Sequence, residues 1–142
     1  MRALTFNDLE ADFDLLDDWE DRYRYVIELG RTLPAFAGSD RTAATKVQGC
    51  VSQVWIKSHL ERQDGKTILR FAGDSDALIV RGLIAILRIV FDGKETSAVV
   101  ATDAGALLGR LGLHEHLTPQ RSNGLAAMVR RIRADAMTAP AG

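Results

Sequence analysis

The chain has 142 residues, 46% of them hydrophobic, 26% charged and 6% aromatic, with a formal net charge of −1 and a single cysteine. That length suits one domain, which can bury about 68% of the surface its unfolded chain exposes and so needs no disulfide or structural metal. One thiol excludes an internal disulfide, a multi-cysteine zinc site and a self-held iron–sulfur cluster, the last two normally needing about three or four protein ligands.

Near-neutral charge argues against general nucleic-acid binding, which draws its affinity from neutralised phosphates. The charge is uneven: residues 1–40 carry ten acids and four bases, a balance of −6, and the remainder nine acids and fourteen bases, a balance of +5. A solvated acidic helix face accounts for that. No basic-then-apolar signal segment opens the chain, and a lone free thiol suits a reducing compartment, so a cytoplasmic setting is expected. The longest apolar run, residues 77–91, is interrupted by Arg81, Gly82 and Arg88. It falls short of the roughly 20 residues a bilayer crossing requires, so no membrane span is expected. Without linker or repeat, residues 1–142 read as a single domain whose small-residue tail, 138–142, is expected to fray.

In chain order, Phe6, Leu9, Phe13 and Leu16 recur at helical spacing behind a Thr5/Asp8 capping box, which predicts a first short helix. Trp19, Tyr23, Val26, Ile27 and Gly30 mark the buried stripe of a second, opened by Asp18, Glu20 and Asp21 and stopped before Leu33-Pro34. Between residues 51 and 61 the period changes to two: Val54, Ile56 and Leu60 share one face, Gln53, Trp55, Lys57 and His59 the other, as in a strand. The turn Gln63-Asp64-Gly65-Lys66 suits a tight antiparallel hairpin returning through residues 67–72. A segment around Lys46 and Val47 is expected to add a further strand, placing Gly49-Cys50 in a tight turn that glycine permits. Residues 76–92, apolar on nearly every face, predict a buried helix on the sheet, closed by Gly93. Shorter helices follow to Leu113. Thr118-Pro119 then starts a final helix with Leu125, Met128, Val129 and Ile132 facing inward. Its Arg130, Arg131 and Arg133 read as solvated cations favoured near a helix C-terminus.

Any chemistry centres on Cys50. The thiolate is the reactive form, and an ordinary thiol with a pKa of about 8.5 is only a few per cent ionised at neutral pH. A Gly-Cys turn can expose the sulfur while backbone N–H groups or a cation such as Arg121 favour its anion; alternatively, Cys50 is a small buried hydrophobe. Arg121 lies on the apolar face of the last helix, in its first turn, where a cation opposes the helix dipole. His114-x-His116 lacks further ligands at metal spacing beyond Glu115, so a packed or capping histidine is favoured over a metal.

Lys46-Val47-Gln48-Gly49-Cys50-Val51-Ser52-Gln53-Val54-Trp55 resembles the cysteine-loop motif of the SufE family, the sulfur acceptors of cysteine desulfurases. The resemblance extends to Trp19-Glu20-Asp21-Arg22-Tyr23 with Ile27-Glu28-Leu29-Gly30, and to Gly73-Asp74-Ser75-Asp76-Ala77 leading into Val80-Arg81-Gly82-Leu83. It continues through His116-Leu117-Thr118-Pro119-Gln120-Arg121-Ser122-Asn123-Gly124-Leu125, so it covers almost the whole chain. One departure is Thr45, where many members carry Asn five positions before the cysteine.

The resemblance implies an α+β, SufE/IscU-like fold, a small antiparallel sheet of about three strands covered by helices. It further implies a carrier whose Cys50 accepts persulfide sulfur from a SufS-type desulfurase, stimulates that enzyme and delivers sulfur to a SufBCD-type scaffold for iron–sulfur cluster assembly. Pyridoxal phosphate belongs to the desulfurase; the carrier needs no cofactor or metal of its own. Gly49, Ser52, Asp74, Arg121 and His116 take supporting or partner-docking places, with a buried ion pair the structural alternative for Arg121 and a helix cap for Asp74. A CsdA-type desulfurase is an alternative partner, both monomer and homodimer stay open, and a cysteine-nucleophile hydrolase would need a histidine base such as His59 or His116 beside Cys50.

Overall fold

The structure, a computed structural model, describes residues 4–50 and 52–138, with the His114 side chain also outside that description. The expectations for the tail beyond Thr138, for Val51 and for His114 as a ligand therefore fall outside the described residues. Local signals set the helix starts. Thr5 and Asp8 exchange side-chain and backbone bonds as a capping box ahead of α1 (Phe6–Asp14), and Asp18 accepts from the Asp21 N–H to open α2 (Trp19–Gly30). A 3-10 turn (Gly38–Asp40) follows.

The sheet begins with β1 (Val54–Gln63) and β2 (Lys66–Ser75), paired antiparallel from Val54 opposite Ser75 to Gln63 opposite Lys66 without a bulge. Positive φ at Asp64 (52°) and Gly65 (77°) marks the two-residue turn whose twist matches the strands. The third strand is not where the sequence places it. Sheet order is β1-β2-β3, with β3 (Lys94–Glu95) on β2. Lys46 makes only an isolated bridge to Trp55 on the outer edge of β1. The Val47 N–H donates to the Val54 carbonyl and the Ile56 N–H to the Thr45 carbonyl, each at 2.8 Å. The ladder stops there because the Thr45 N–H turns away to Thr42 Oγ1 at 3.2 Å. Thr45 thus carries its own local hydrogen bonding, its hydroxyl donating to the Asp40 carbonyl at 2.5 Å.

The expected 76–92 helix is α3 (Leu78–Phe91), buried at ten positions. It starts late because Asp76 is bonded elsewhere: its carboxylate accepts the Gln53 N–H at 3.0 Å and its own N–H donates to the Gln53 carbonyl at 3.3 Å. α2 crosses α3 in backbone contact. A Cβ on Gly82 would sit 2.1 Å from the Val26 carbonyl oxygen, so only glycine fits. After Gly93, whose N–H reaches the Leu69 carbonyl at 2.8 Å, come β3 and the short α4 (Thr96–Ala101), α5 (Ala104–Arg110) and α6 (Leu113–His116).

α7 (Pro119–Met137) starts on Thr118, which caps the Arg121 N–H, with Pro119 in its first turn. It buries Gly124, Leu125, Ala127, Met128, Ile132 and Ala136. Its arginines are not simply solvated: Arg133 donates to the Val100 carbonyl at 2.9 Å, tying α7 to α4, and Arg131 is turned toward β1. The α+β fold of a small antiparallel sheet covered by helices is as expected, and no described helix is long and apolar enough to cross a membrane.

Candidate functional site

Cys50 sits in the loop that the Val47–Val54 backbone bond closes, and the Asp76–Gln53 pair fixes where that loop rejoins β1. Gly49 turns it. Its φ of 89° lies where L side chains are strained, and the turn lays the loop on α7, with an added Cβ 3.4 Å from the Ala127 methyl. Cys50 then meets Gly124. The sulfur lies 3.5 Å from where a Gly124 Cβ would stand, ordinary van der Waals contact, so the loop packs directly on the helix backbone there.

The thiol is half-buried and donates to the Gly124 carbonyl at 3.6 Å. Beside it opens a cavity of about 300 Å³, whose apolar wall comes from Val54, Val80, Leu83, Leu125 and Met128. Ser52, Gln120 and Arg121 supply polar edges. Burial raises the Cys50 pKa, and the positive charge of Arg130 opposes that only in part. A carbonyl oxygen that accepts from S–H repels S⁻, so the contact with Gly124 acts in the same direction as burial. In this conformation Cys50 is kept as a thiol, and the expected assistance to its anion is outweighed.

Of the predicted site residues, the structure gathers Gly49, Cys50, Ser52 and Arg121 at one place. Arg121 lines the cavity, but its Nη1 donates to the Tyr23 hydroxyl at 3.1 Å, and no carboxylate among the described residues pairs with it, so the buried ion pair is not formed. The cation whose charge acts on the sulfur is Arg130, an exposed residue more than two turns further along α7.

Asp74 and His116 lie outside the cavity. Asp74 is 7% exposed and accepts from the Arg41 guanidinium and the Ser75 N–H, with Arg81 Nε 3.3 Å away as a charge contact. It is not a helix cap, since Ala77 begins α3 without one and Ser75 Oγ takes the Ala77 N–H. Asp74 instead anchors Arg41, which covers the Trp55 ring at 5.2 Å. His116 stacks on Trp19 with ring centroids 4.0 Å apart, the packed role that its sequence context favours. His59, on the exposed sheet face, contacts Glu61 at 3.2 Å. No histidine lines the Cys50 cavity among the described side chains, and no group of three metal-ligating side chains occurs among the described residues.

The sequence gives no site role to Tyr23, Asp76, Arg130 or Arg131, read there as core, motif or solvated residues. Arg131 carried a readable signal, since it lies three residues after Met128 and seven after Gly124, on the inward face of α7. Tyr23, 98 residues from Arg121, carried none.

One cysteine on a glycine-turned loop, laid over an apolar cavity on an α+β scaffold, defines a single-thiol protein with no cluster- or zinc-holding set among its described residues. The sequence model of the SufE family, described as an Fe-S metabolism associated domain, matches residues 7–136. An uncharacterized SufE-like protein of Rhizobium meliloti is 52% identical over 125 residues, covering 88% of this chain and 89% of the relative. One from Rhizobium etli is 54% identical over 125 residues, covering 88% and 84%. A solution structure of a hypothetical protein from Thermus thermophilus shares the fold, with a TM-score of 0.71 and 24% identity over 94% of this chain and 93% of that one. The chain belongs to the SufE family, with a sulfur-transfer role in iron–sulfur metabolism.

Proposed function

We propose that this protein accepts sulfur on Cys50 from the persulfide of a SufS-type cysteine desulfurase and carries it to a SufBCD-type scaffold for cluster assembly. The observation that carries the proposal is the placement of the chain's one cysteine on a glycine-turned loop beside a mostly apolar cavity, in a SufE-family chain. In the transfer, the Cys50 thiolate attacks the outer sulfur of the desulfurase persulfide. A new S–S bond forms, the old one breaks, and the desulfurase leaves as its own thiolate. The persulfide proton stays on the transferred sulfur, and no net oxidation occurs.

The resting site makes a poor nucleophile by itself. With its pKa raised by burial, Cys50 is only slightly ionised at neutral pH. Lifting the loop removes both burial and the Gly124 carbonyl, so docking of the desulfurase is the step that activates the thiol. After transfer, the cavity beside Cys50 shields the persulfide from stray thiols and oxidants. Pyridoxal phosphate remains the desulfurase's cofactor, and the setting is the reducing cytoplasm.

The experiment is turnover of a purified SufS-type desulfurase with cysteine, without carrier, with the wild-type chain and with Cys50→Ser. Stimulation by the wild type alone is expected. Equal stimulation by Cys50→Ser refutes the carrier mechanism, and stimulation confined to a CsdA-type enzyme reassigns the partner.

A further inference from the structure

The segment leading into the Cys50 loop is held less by sheet pairing than its position suggests. In an antiparallel ladder the Thr45 N–H would donate to the Ile56 carbonyl, completing the pair begun by the Ile56 N–H. That N–H goes to Thr42 Oγ1 instead, which leaves the Ile56 carbonyl at the open edge of β1. The guanidinium of Arg131 fills the place. Its Nη2 reaches the Ile56 carbonyl at 3.4 Å and the Ala44 carbonyl at 2.8 Å, and its Nη1 reaches the Lys46 carbonyl at 3.4 Å. One planar side chain thus spans both sides of the missing rung.

Its orientation is fixed from behind. Arg131 Nε lies 3.2 Å from each oxygen of Asp135, and Asp135 accepts the Ser58 hydroxyl of β1 at 2.7 Å. From this anchor the chain follows α7 toward its N-terminus: Lys46 at Arg131, Gly49 at Ala127, Cys50 at Gly124. The tether and the thiol are opposite ends of one short segment lying on one helix.

We infer that Arg131 is a positioning residue for Cys50, tying the stem of the cysteine loop to α7 in place of the absent ladder rung and so setting how often the loop lifts the thiol off Gly124. Arg131 touches neither the sulfur nor the cavity wall; it acts through the backbone of residues 44–46. The inference takes from the proposed function only that Cys50 is the reacting thiol, and its test needs no desulfurase. A lysine cannot replace it, because a single ammonium cannot face the carboxylate on one side and three carbonyls on the other as the five-donor fork does.

The test is the second-order rate of iodoacetamide reaction with Cys50 at pH 8, together with amide exchange at Val47 and Ile56 and a thermal melt, for wild type, Arg131→Ala, Arg131→Lys, Asp135→Asn and Arg133→Ala. Local opening raises both alkylation and exchange. Arg131→Ala is expected to alkylate about threefold faster or more, with faster exchange at both amides, and Arg131→Lys is not expected to restore the wild-type rate. Arg133→Ala, which cuts the α7 to α4 tie at Val100, is expected to lose stability while keeping the wild-type rate. A folded Arg131→Ala that reacts at the wild-type rate overturns the inference, as does equal acceleration by Arg133→Ala. Should Arg131→Ala not fold, Arg131→Lys and Asp135→Asn carry the same expectation, and wild-type rates in both overturn it. Absence of desulfurase stimulation by the wild-type chain, with these rates as expected, would count against the carrier reading alone.

Discussion

Replacing Gly49 by alanine separates the loop's geometry from its chemistry. At φ 89° an L residue is strained by about 1–2 kcal/mol relative to glycine. The added methyl itself fits, because it comes no closer than 3.4 Å to the Ala127 side chain, so the cost is in the backbone. Lifting the loop frees the residue from that φ and relieves the strain. The equilibrium between resting and lifted loop then shifts toward lifted by a factor of about 5–30. Iodoacetamide alkylation at pH 8, followed by mass spectrometry, should show Cys50 reacting faster by that factor, with global stability lowered by no more than about 1–2 kcal/mol. Gly65→Ala is the control. Its φ of 77° carries similar strain in the hairpin turn, with open space around the new methyl, and it should lose stability without altering Cys50. If Gly49→Ala is destabilised yet Cys50 reacts at the wild-type rate, or if Gly65→Ala accelerates it equally, the resting loop does not govern the thiol.

The alkylation rate of wild type should reach its midpoint at a higher pH than that of an unfolded Cys50 peptide, because burial is the largest influence on the thiol; Arg130→Ala should move the midpoint higher still. With the folded pKa above the unfolded one, the thiol's stabilising contribution is fully present below about pH 8.5 and is lost as pH rises through the folded pKa, which alkaline melts of wild type against Cys50→Ala read out. Asp74→Asn should cost about 2 kcal/mol in urea unfolding, less than a fully buried pair because Arg41 and Arg81 both keep contact with water, while leaving Cys50 alkylation unchanged. Tyr23→Phe removes the acceptor of Arg121 and should cost about 1 kcal/mol by the same assay; no loss would mean that the hydroxyl does not hold the guanidinium.

What was legible in the sequence was local. The Thr5/Asp8 box, the Asp64-Gly65 hairpin and the Thr118-Pro119 start each depend on residues within four positions of one another, and each stands where expected. β3 was not legible: two residues carry no period, and Lys94–Glu95 is a strand because the turn after α3 sets it against β2. The Lys46 segment shows the converse, since its pairing was readable but its end was set by a threonine side chain that competes for the Thr45 N–H. At the site, Cys50, Gly49 and Ser52 were marked by their own motif, and Arg121 by a charge in the wrong turn of a helix. The partners that decide what these groups do come from far along the chain: Gly124 is 74 residues from Cys50 and Tyr23 is 98 from Arg121, and Arg130 reaches the sulfur only through the packing of α7 on the loop. For Asp74 the local fit to a helix start concealed Arg41, 33 residues earlier in the chain.

The central claim is that Cys50 itself holds the transferred sulfur. Incubating the chain with a SufS-type desulfurase and cysteine, then measuring the intact mass and that of the Cys50 peptide, should show the addition of one sulfur atom at Cys50, removed by dithiothreitol and absent in Cys50→Ser. Desulfurase stimulation without any sulfur on Cys50 would contradict the account.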